Sequence, residues 1–155
     1  MREIKSVVLH CTATPLDRKL TVKEIRKWHV KGNGWADIGY HFVIHQDGTI
    51  ERGRHIGKVG AHTWGNNHGS IGVAYCGGVE KKILKSLDKE KPKSKTTLVS
   101  KDTMTKEQEA SFRNLFKILE VMFGELKLRG HNDYNKAKDC PGFNIREKFG
   151  DIMEL

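Results

Sequence analysis

Two short apolar segments, SVVLHCTA from Ser6 and GSIGVAYCGG from Gly69, constrain the fold of this chain more than any other feature. Both are short and rich in residues that favour strands, which is typical of buried β-strands. The run IGYHFVIHQDGTIERGR alternates in polarity around Asp47 and Gly48, and this pattern predicts a hairpin. These segments together predict a β-sheet.

Amphipathic patterns predict the helices that accompany this sheet. Thr21 and Glu24 have the form of a capping box that opens a first helix, which should end at the Gly32-Asn33-Gly34 breaker. Thr105 is predicted to cap a long helix that stops near Gly124. The predicted core face of that helix comprises Leu115, Ile118, Leu119 and Met122.

The predicted elements point to one fold class. A loop from Gly130 to Gly142 and a short helix from about Asn144 complete the order strand, helix, hairpin, strand, helix, loop, helix. We therefore expect an α/β fold with a central mixed β-sheet flanked by helices; the pairing order of the strands does not follow from these patterns. A chain of 155 residues fits one core, so residues 1–155 are predicted to form a single domain.

A lysine-rich stretch from Lys81 to Lys101 differs in composition from the rest of the chain. It holds eight lysines against two acidic residues and few apolar ones. We interpret it as an exposed, partly disordered loop or insertion at about 81–101. Its composition fits an inert solubilising surface, and it also fits attraction to an anionic cell wall.

The net charge of +9 favours polyanionic partners, namely nucleic acid, an anionic cell wall or an acidic lipid surface. No nucleic-acid-binding motif is recognised, so specific nucleic-acid binding is not expected. No apolar run approaches the length of a membrane span, so insertion into a membrane is not expected. The first residues contain no apolar core of signal-peptide length. We therefore expect synthesis in a cytoplasm and release by other means to any substrate outside.

Cysteine and histidine positions suggest a metal site. Cys11 and Cys76 lie in apolar strand segments and are interpreted as small packed residues, whereas Cys140 lies in a polar loop that suits a ligand or a reactive thiol. His10 closes a predicted strand, and His131 opens the loop that contains Cys140. Two imidazoles and one thiolate would leave zinc the open fourth position that catalysis needs. By spacing alone, this is a weak signal.

Four segments carry a resemblance to a known family: VVLHCTAT, WADIGYHFVIHQDGTIERGR, GAHTWGNNHGSIGVAYCGG and GHNDYNKAKDCPGF. In this order they resemble the type 2 N-acetylmuramoyl-L-alanine amidases, which include the lysozyme-like amidases of T7-type phages and the peptidoglycan recognition proteins. The resemblance spans nearly the whole chain and lapses only in the lysine-rich stretch. It implies an endolysin-like enzyme that hydrolyses the amide between N-acetylmuramic acid and L-alanine in bacterial peptidoglycan.

The resemblance also implies roles for particular residues. His10, His131 and Cys140 match the family's ligands of one zinc ion per chain, and Tyr40 and Lys138 match its catalytic-site residues. Members that recycle wall fragments in the cytosol tend to have aspartate as the third ligand, so the cysteine here is similar to that of the phage enzymes and favours catalysis. In the third segment, the predicted contacts to sugar or peptide are His62, Trp64, Asn66 and His68.

Other functions remain compatible with the sequence. A peptidoglycan recognition domain could keep the fold without turnover, although the complete set of five site residues favours an enzyme. Some phage amidases also bind an RNA polymerase, and the sequence leaves this open. The expected partner is peptidoglycan, and we expect the chain to act as a monomer.

Overall fold

The computed structural model describes residues 1–87, 89–90 and 94–154. The strands are β1 (Ser6–Cys11), β2 (Phe42–Ile44), β3 (Ile50–Arg52), β4 (Ser70–Tyr75), β5 (Val79–Lys85), β6 (Ser94–Ser100) and β7 (Lys127–Gly130). Five of them form the main sheet in the order β3-β2-β4-β1-β7. Strands β2, β4, β1 and β7 run parallel, and β3 pairs antiparallel with β2. The predicted mixed α/β fold with a central sheet is confirmed.

The helices are α1 (Val22–Lys27), α2 (Lys106–Phe123), α3 (His131–Tyr134) and α4 (Ile145–Phe149). A π-helical turn at Trp28–Gly32 follows α1, and a 3-10 turn at Gly150–Ile152 follows α4. Thr21 and Thr105 cap α1 and α2 as predicted, since each hydroxyl accepts a backbone N–H from the first turn of its helix. No membrane-spanning helix is found in the described part of the chain.

The main sheet separates two buried layers. Successive residues of a strand point to opposite faces, and Val7, Leu9 and Cys11 of β1 pack in the larger core with residues of α2 and α4. A smaller cluster that includes Ile25 of α1 covers the other face. His10 alternates with Leu9 and Cys11, so its side chain points away from the larger core and towards the α1 side of the sheet.

The buried face of α2 differs from the predicted one. Leu115 and Leu119 are buried as predicted, but Ile118 and Met122 are more than half exposed. The buried residues of this helix are Gln108, Phe112, Leu115, Phe116 and Leu119. The observed face buries two phenylalanine rings, which remove more apolar area from water than Ile118 and Met122 would.

The lysine-rich stretch, expected to be an exposed and partly disordered loop or insertion, is largely a hairpin in its described residues. Strands β5 and β6 pair antiparallel from Val79–Ser100 to Lys85–Ser94. Most of their side chains are exposed, as expected. Positions 88 and 91–93 lie outside the described residues. Two paired strands satisfy each other's backbone N–H and C=O groups, so a hairpin can form here with little apolar core.

The predicted loop from Gly130 to Gly142 also contains regular structure. Strand β7 ends at Gly130, and α3 begins at the next residue. The sequence Lys127–Gly130 carries two charged side chains and gives no strand signal, but pairing with β1 holds it in the sheet. The final helix begins after Asn144 as predicted, with the Asn144 side chain as its cap.

Candidate metal centre

Parallel pairing of β1 with β7 brings two histidines together. Leu9 pairs with Gly130, so His10 and His131 come next at the carboxyl ends of adjacent strands. Their ring centroids lie 4.7 Å apart. His10 is buried and His131 is half-buried. The carboxyl ends of parallel strands are the usual place for a functional site in an open α/β sheet.

Cys140 reaches the same point from the loop that follows α3. The Tyr75 hydroxyl donates a hydrogen bond of 2.5 Å to the Pro141 carbonyl and so ties this loop to β4. The Sγ atom of Cys140 lies 3.7 Å from Nδ1 of His10. It also accepts the backbone N–H of Cys11 at 3.2 Å, and this contact favours a thiolate at that position.

The three side chains offer a donor set that fits a metal ion. One ligand atom from each of His10, His131 and Cys140 lies within 4.8 Å of the other two. In a tetrahedral zinc site, bonds of ordinary length place a nitrogen and a sulfur ligand about 3.6 Å apart. The observed 3.7 Å between His10 Nδ1 and Cys140 Sγ is close to that spacing. The arrangement is consistent with a metal site that has three protein ligands.

The protonation states of the histidines also suit a metal. Burial lowers the pKa of His10 well below 6.5. Burial and the nearby positive charge of Lys138 both lower the pKa of His131. Both imidazoles are therefore neutral at neutral pH, as ligands must be. A hydrogen bond with the Cys11 thiol and burial raise the pKa of Cys140. A bound cation would stabilise its thiolate form.

Behind His10 lie two further buried histidines, His41 and His62, here called the rear histidine pair. Nε2 of His10 is 2.9 Å from Nδ1 of His62 and 3.2 Å from the hydroxyl of Thr63. Nε2 of His62 lies 3.3 Å from the hydroxyl of Ser70. Because these contacts engage Nε2 of His10, its Nδ1 is the nitrogen free to face the candidate metal site. Outer hydrogen bonds of this kind fix the tautomer of a ligand histidine.

Small residues make room for the rear histidine pair. Nδ1 of His41 accepts the backbone N–H of Gly72 at 3.0 Å, and its Nε2 donates to the Lys58 carbonyl at 2.8 Å. A Cβ atom on Gly72 would lie 2.5 Å from the ring of His62. Burial lowers the pKa of His41 to about 4 and that of His62 to about 3, so both rings are neutral.

Tyr40 and Lys138 line the cleft of about 510 Å³ into which the metal ligands open. The ring centroids of Tyr40 and His10 are 5.3 Å apart. Burial raises the pKa of the Tyr40 phenol, so its hydroxyl is protonated at neutral pH. Lys138 is exposed. The structure thus brings both side chains beside the three candidate metal ligands, while their catalytic roles stay predictions.

The four predicted substrate contacts lie in different settings. Trp64 is 95% exposed and lines an adjoining cleft of about 430 Å³. His62 borders both clefts, but its buried ring bonds with His10, a placement that suits support of the ligand. Within the described part of the chain, Asn66 and His68 are not among the residues that line either cleft. Contact of these residues with substrate stays a prediction.

Three features of the site were not predicted from the sequence. Trp35 lines both clefts. Asn67 accepts the backbone N–H groups of His62 and Thr63 through its Oδ1, at 2.8 Å each, and so shapes the loop. Cys11 is buried as predicted, yet its backbone N–H also donates a hydrogen bond to Sγ of Cys140. Two adjacent asparagines in a polar loop give no signal as to which one points inward.

The chain is similar in sequence to cell-wall enzymes of phages. The family model described as N-acetylmuramoyl-L-alanine amidase matches residues 1–143. The endolysin of Enterobacteria phage T3 is 38% identical over 142 residues, which cover 92% of this chain and 83% of the phage protein. The endolysin of Escherichia phage T7 is 38% identical over 141 residues, covering 91% and 82%.

Solved structures share the fold. The N-acetylmuramoyl-L-alanine amidase LysC from Clostridium intestinale URNW matches with a TM-score of 0.74 at 29% identity, covering 97% of this chain and 86% of that one. Bumblebee PGRP-SA matches with a TM-score of 0.74 at 23% identity, covering 99% and 84%, a likeness of fold.

Proposed function

The chain belongs to the N-acetylmuramoyl-L-alanine amidase family, and we propose that it uses one zinc ion to hydrolyse the amide between the lactyl group of N-acetylmuramic acid and the L-alanine of the stem peptide. Amidase activity on the bacterial cell wall follows from this membership and from the endolysin relatives. The observation that carries the proposal is the convergence of His10, His131 and Cys140 in an open cleft.

The donor set supports zinc as the metal. Two neutral imidazoles and one thiolate are ligands that zinc prefers, and three protein ligands leave a coordination position open. When bound, zinc supplies Lewis acidity, which lowers the pKa of a water molecule towards about 7 and polarises a carbonyl. His10, His131 and Cys140 would hold the ion, with His62 behind His10 and the Cys11 N–H beside the sulfur.

Tyr40 and Lys138 would act on the charges that the reaction creates. The ammonium group of Lys138, at the same cleft, stabilises the negative charge that develops on the amide oxygen. The protonated hydroxyl of Tyr40 is a hydrogen-bond donor, which suits it to orient water or to pass a proton to the leaving amine. This pairing of a cation with a neutral donor matches what amide hydrolysis requires.

We also propose that the enzyme acts as a monomer on peptidoglycan, after release from the cell in which it is made. In support, all five proposed site residues come from one chain and line one cleft.

Mass spectrometry of digested peptidoglycan tests the proposal. The expected products are stem peptides with a free L-alanine amino group and glycan strands with free lactyl carboxylates. Metal-depleted protein should release neither, and added zinc should restore both. Release of peptides without any need for metal would refute the zinc role. Binding to walls without release would indicate a recognition domain instead of an enzyme.

A further inference from the structure

One face of the β5–β6 hairpin continues the wall of the metal cleft. In antiparallel strands, directly opposite residues share a face, and every second pair lies on the same side. One face, here called the cleft face, carries the pairs Val79–Ser100, Lys81–Leu98, Ile83–Thr96 and Lys85–Ser94. Val79, Leu98 and Ser100 line the cleft that contains His10 and Cys140.

Beyond the proposed metal ligands, the cleft face carries both apolar and cationic side chains. Leu98 is 51% exposed and Ile83 is 65% exposed, so two large apolar side chains follow one another outward from the cleft. Lys85 lies one pair further out, and Lys81 forms an ion pair of 2.5 Å with Asp17. Exposed apolar side chains that extend a catalytic cleft are typical of a ligand-binding groove.

The adjoining cleft, which shares His62 and His131 with the metal cleft, is lined by aromatic side chains. It is lined by Trp35, Trp64 and Tyr134, and Trp64 is almost fully exposed. Aromatic side chains offer flat apolar faces with little conformational freedom, which suits them to pack on sugar rings. The scissile amide joins a sugar to a peptide, so a bound substrate extends from the metal ligands in two directions. The aromatic side suits the sugar, which leaves the hairpin side for the peptide.

We propose that the cleft face of the hairpin binds the stem peptide, while the aromatic cleft receives the glycan. The inference rests on the proposed amidase function and names the part of the substrate that the hairpin recognises. The seven residues of β5 extend for about 20 Å, enough for several residues of an extended peptide. Leu98 and Ile83 pack on its apolar groups, and Lys85 attracts its terminal carboxylate.

Ile83 and Leu84 provide a matched pair of variants, since they are adjacent, exposed and on opposite faces of the hairpin. On a soluble N-acetylmuramoyl-tetrapeptide, Ile83→Ser should raise KM about fivefold with kcat retained, the effect of losing a modest apolar contact. Leu84→Ser should leave KM unchanged. Ile83 lies four residues, or about 13 Å, along β5 from Val79 at the cleft, whereas two extended peptide residues span about 7 Å. On an N-acetylmuramoyl-dipeptide, neither variant should therefore change KM.

Lys85 and Lys82 provide a second matched pair, because each variant removes one exposed charge but only Lys85 lies on the cleft face. Lys85→Gln should raise KM for the tetrapeptide, and Lys82→Gln should not. Long-range attraction to an anionic wall would instead give equal, salt-dependent effects for both. Equal effects within either pair, or an equal effect of Ile83→Ser on both substrates, would overturn the proposal. A wild-type enzyme that cleaves neither substrate would refute the amidase function itself, which is a distinct result.

Discussion

Replacing His62 by leucine removes the ring that holds His10 from behind. In the native protein, Nε2 of His10 lies 2.9 Å from Nδ1 of His62 and 3.2 Å from the Thr63 hydroxyl. Leucine fills much of the same buried space but accepts no hydrogen bond. The His10 ring should then lose part of the restraint that presents its Nδ1 to the metal.

The expected loss of metal affinity follows from the number of acceptors removed. Loss of an outer hydrogen-bond partner of a ligand histidine costs about 10–100-fold in metal affinity. Since the Thr63 hydroxyl stays within reach of Nε2, His62→Leu should weaken zinc binding by about tenfold, or about 1.4 kcal/mol. Combining it with Thr63→Val removes both acceptors, and the loss should approach about 100-fold.

His41 offers a control within the rear histidine pair. It is buried as His62 is, but its ring bonds with the Gly72 N–H and the Lys58 carbonyl. Both His41→Leu and His62→Leu should lower the free energy of unfolding, whereas only His62→Leu should weaken zinc binding. Zinc affinity is measured by competition with a chromophoric chelator, on samples shown to be folded by circular dichroism. Wild-type affinity in folded His62→Leu, or an equal loss in His41→Leu, would refute the positioning role.

Three further predictions concern the ligands, the catalytic side chains and pH. Cys140→Ser should lose both bound zinc and amidase activity, whereas Cys76→Ser, which is buried outside the ligand set, should keep both in metal analysis and wall-digestion assays. Tyr40→Phe and Lys138→Ala should each lower kcat by about 100-fold with zinc retained, and wild-type turnover in either variant would rule out that role. The pKa values of the rear histidine pair, about 4 and about 3, lie below the usual 6.5, so the unfolded state takes up protons first as pH falls. In metal-free protein, this pair alone should therefore contribute a loss of about 2 kcal/mol of unfolding free energy per pH unit between pH 6 and pH 5. Denaturant titrations that show no change across this range would contradict that expectation.

Much of the local structure and the types of the site residues could be predicted from the sequence. The hairpin turn needs a residue that tolerates positive φ, and Gly48 stands there with φ of +90°. Thr21 and Thr105 mark helix starts because their hydroxyls cap the first turn whatever lies around them. Cys140 in a polar loop indicated a ligand or a reactive thiol, and the resemblance to the amidase family implied the ligand role and its partners. Each of these signals depends on residues close together in the chain, or on segments matched as a whole.

Other features depend on contacts between distant parts of the chain. His10 and Cys140 are 130 positions apart, and they meet because β1 pairs with β7 and the following loop folds back over it. Spacing cannot show that a histidine such as His62 turns inward to support a ligand. That direction depends on Gly72, a residue of a neighbouring strand without a side chain to block the ring.

The lysine-rich stretch shows the same division between sequence and tertiary structure. Its composition alone predicted exposure, and its side chains are mostly exposed. Its pairing into a hairpin depends on hydrogen bonds between the two strands. Val79 and Leu98 reach the metal cleft because the hairpin begins shortly after β4 ends, next to the site. Sequence patterns predict the secondary structure and the exposure of a residue. Which distant residues it contacts is decided by long-range packing and strand pairing.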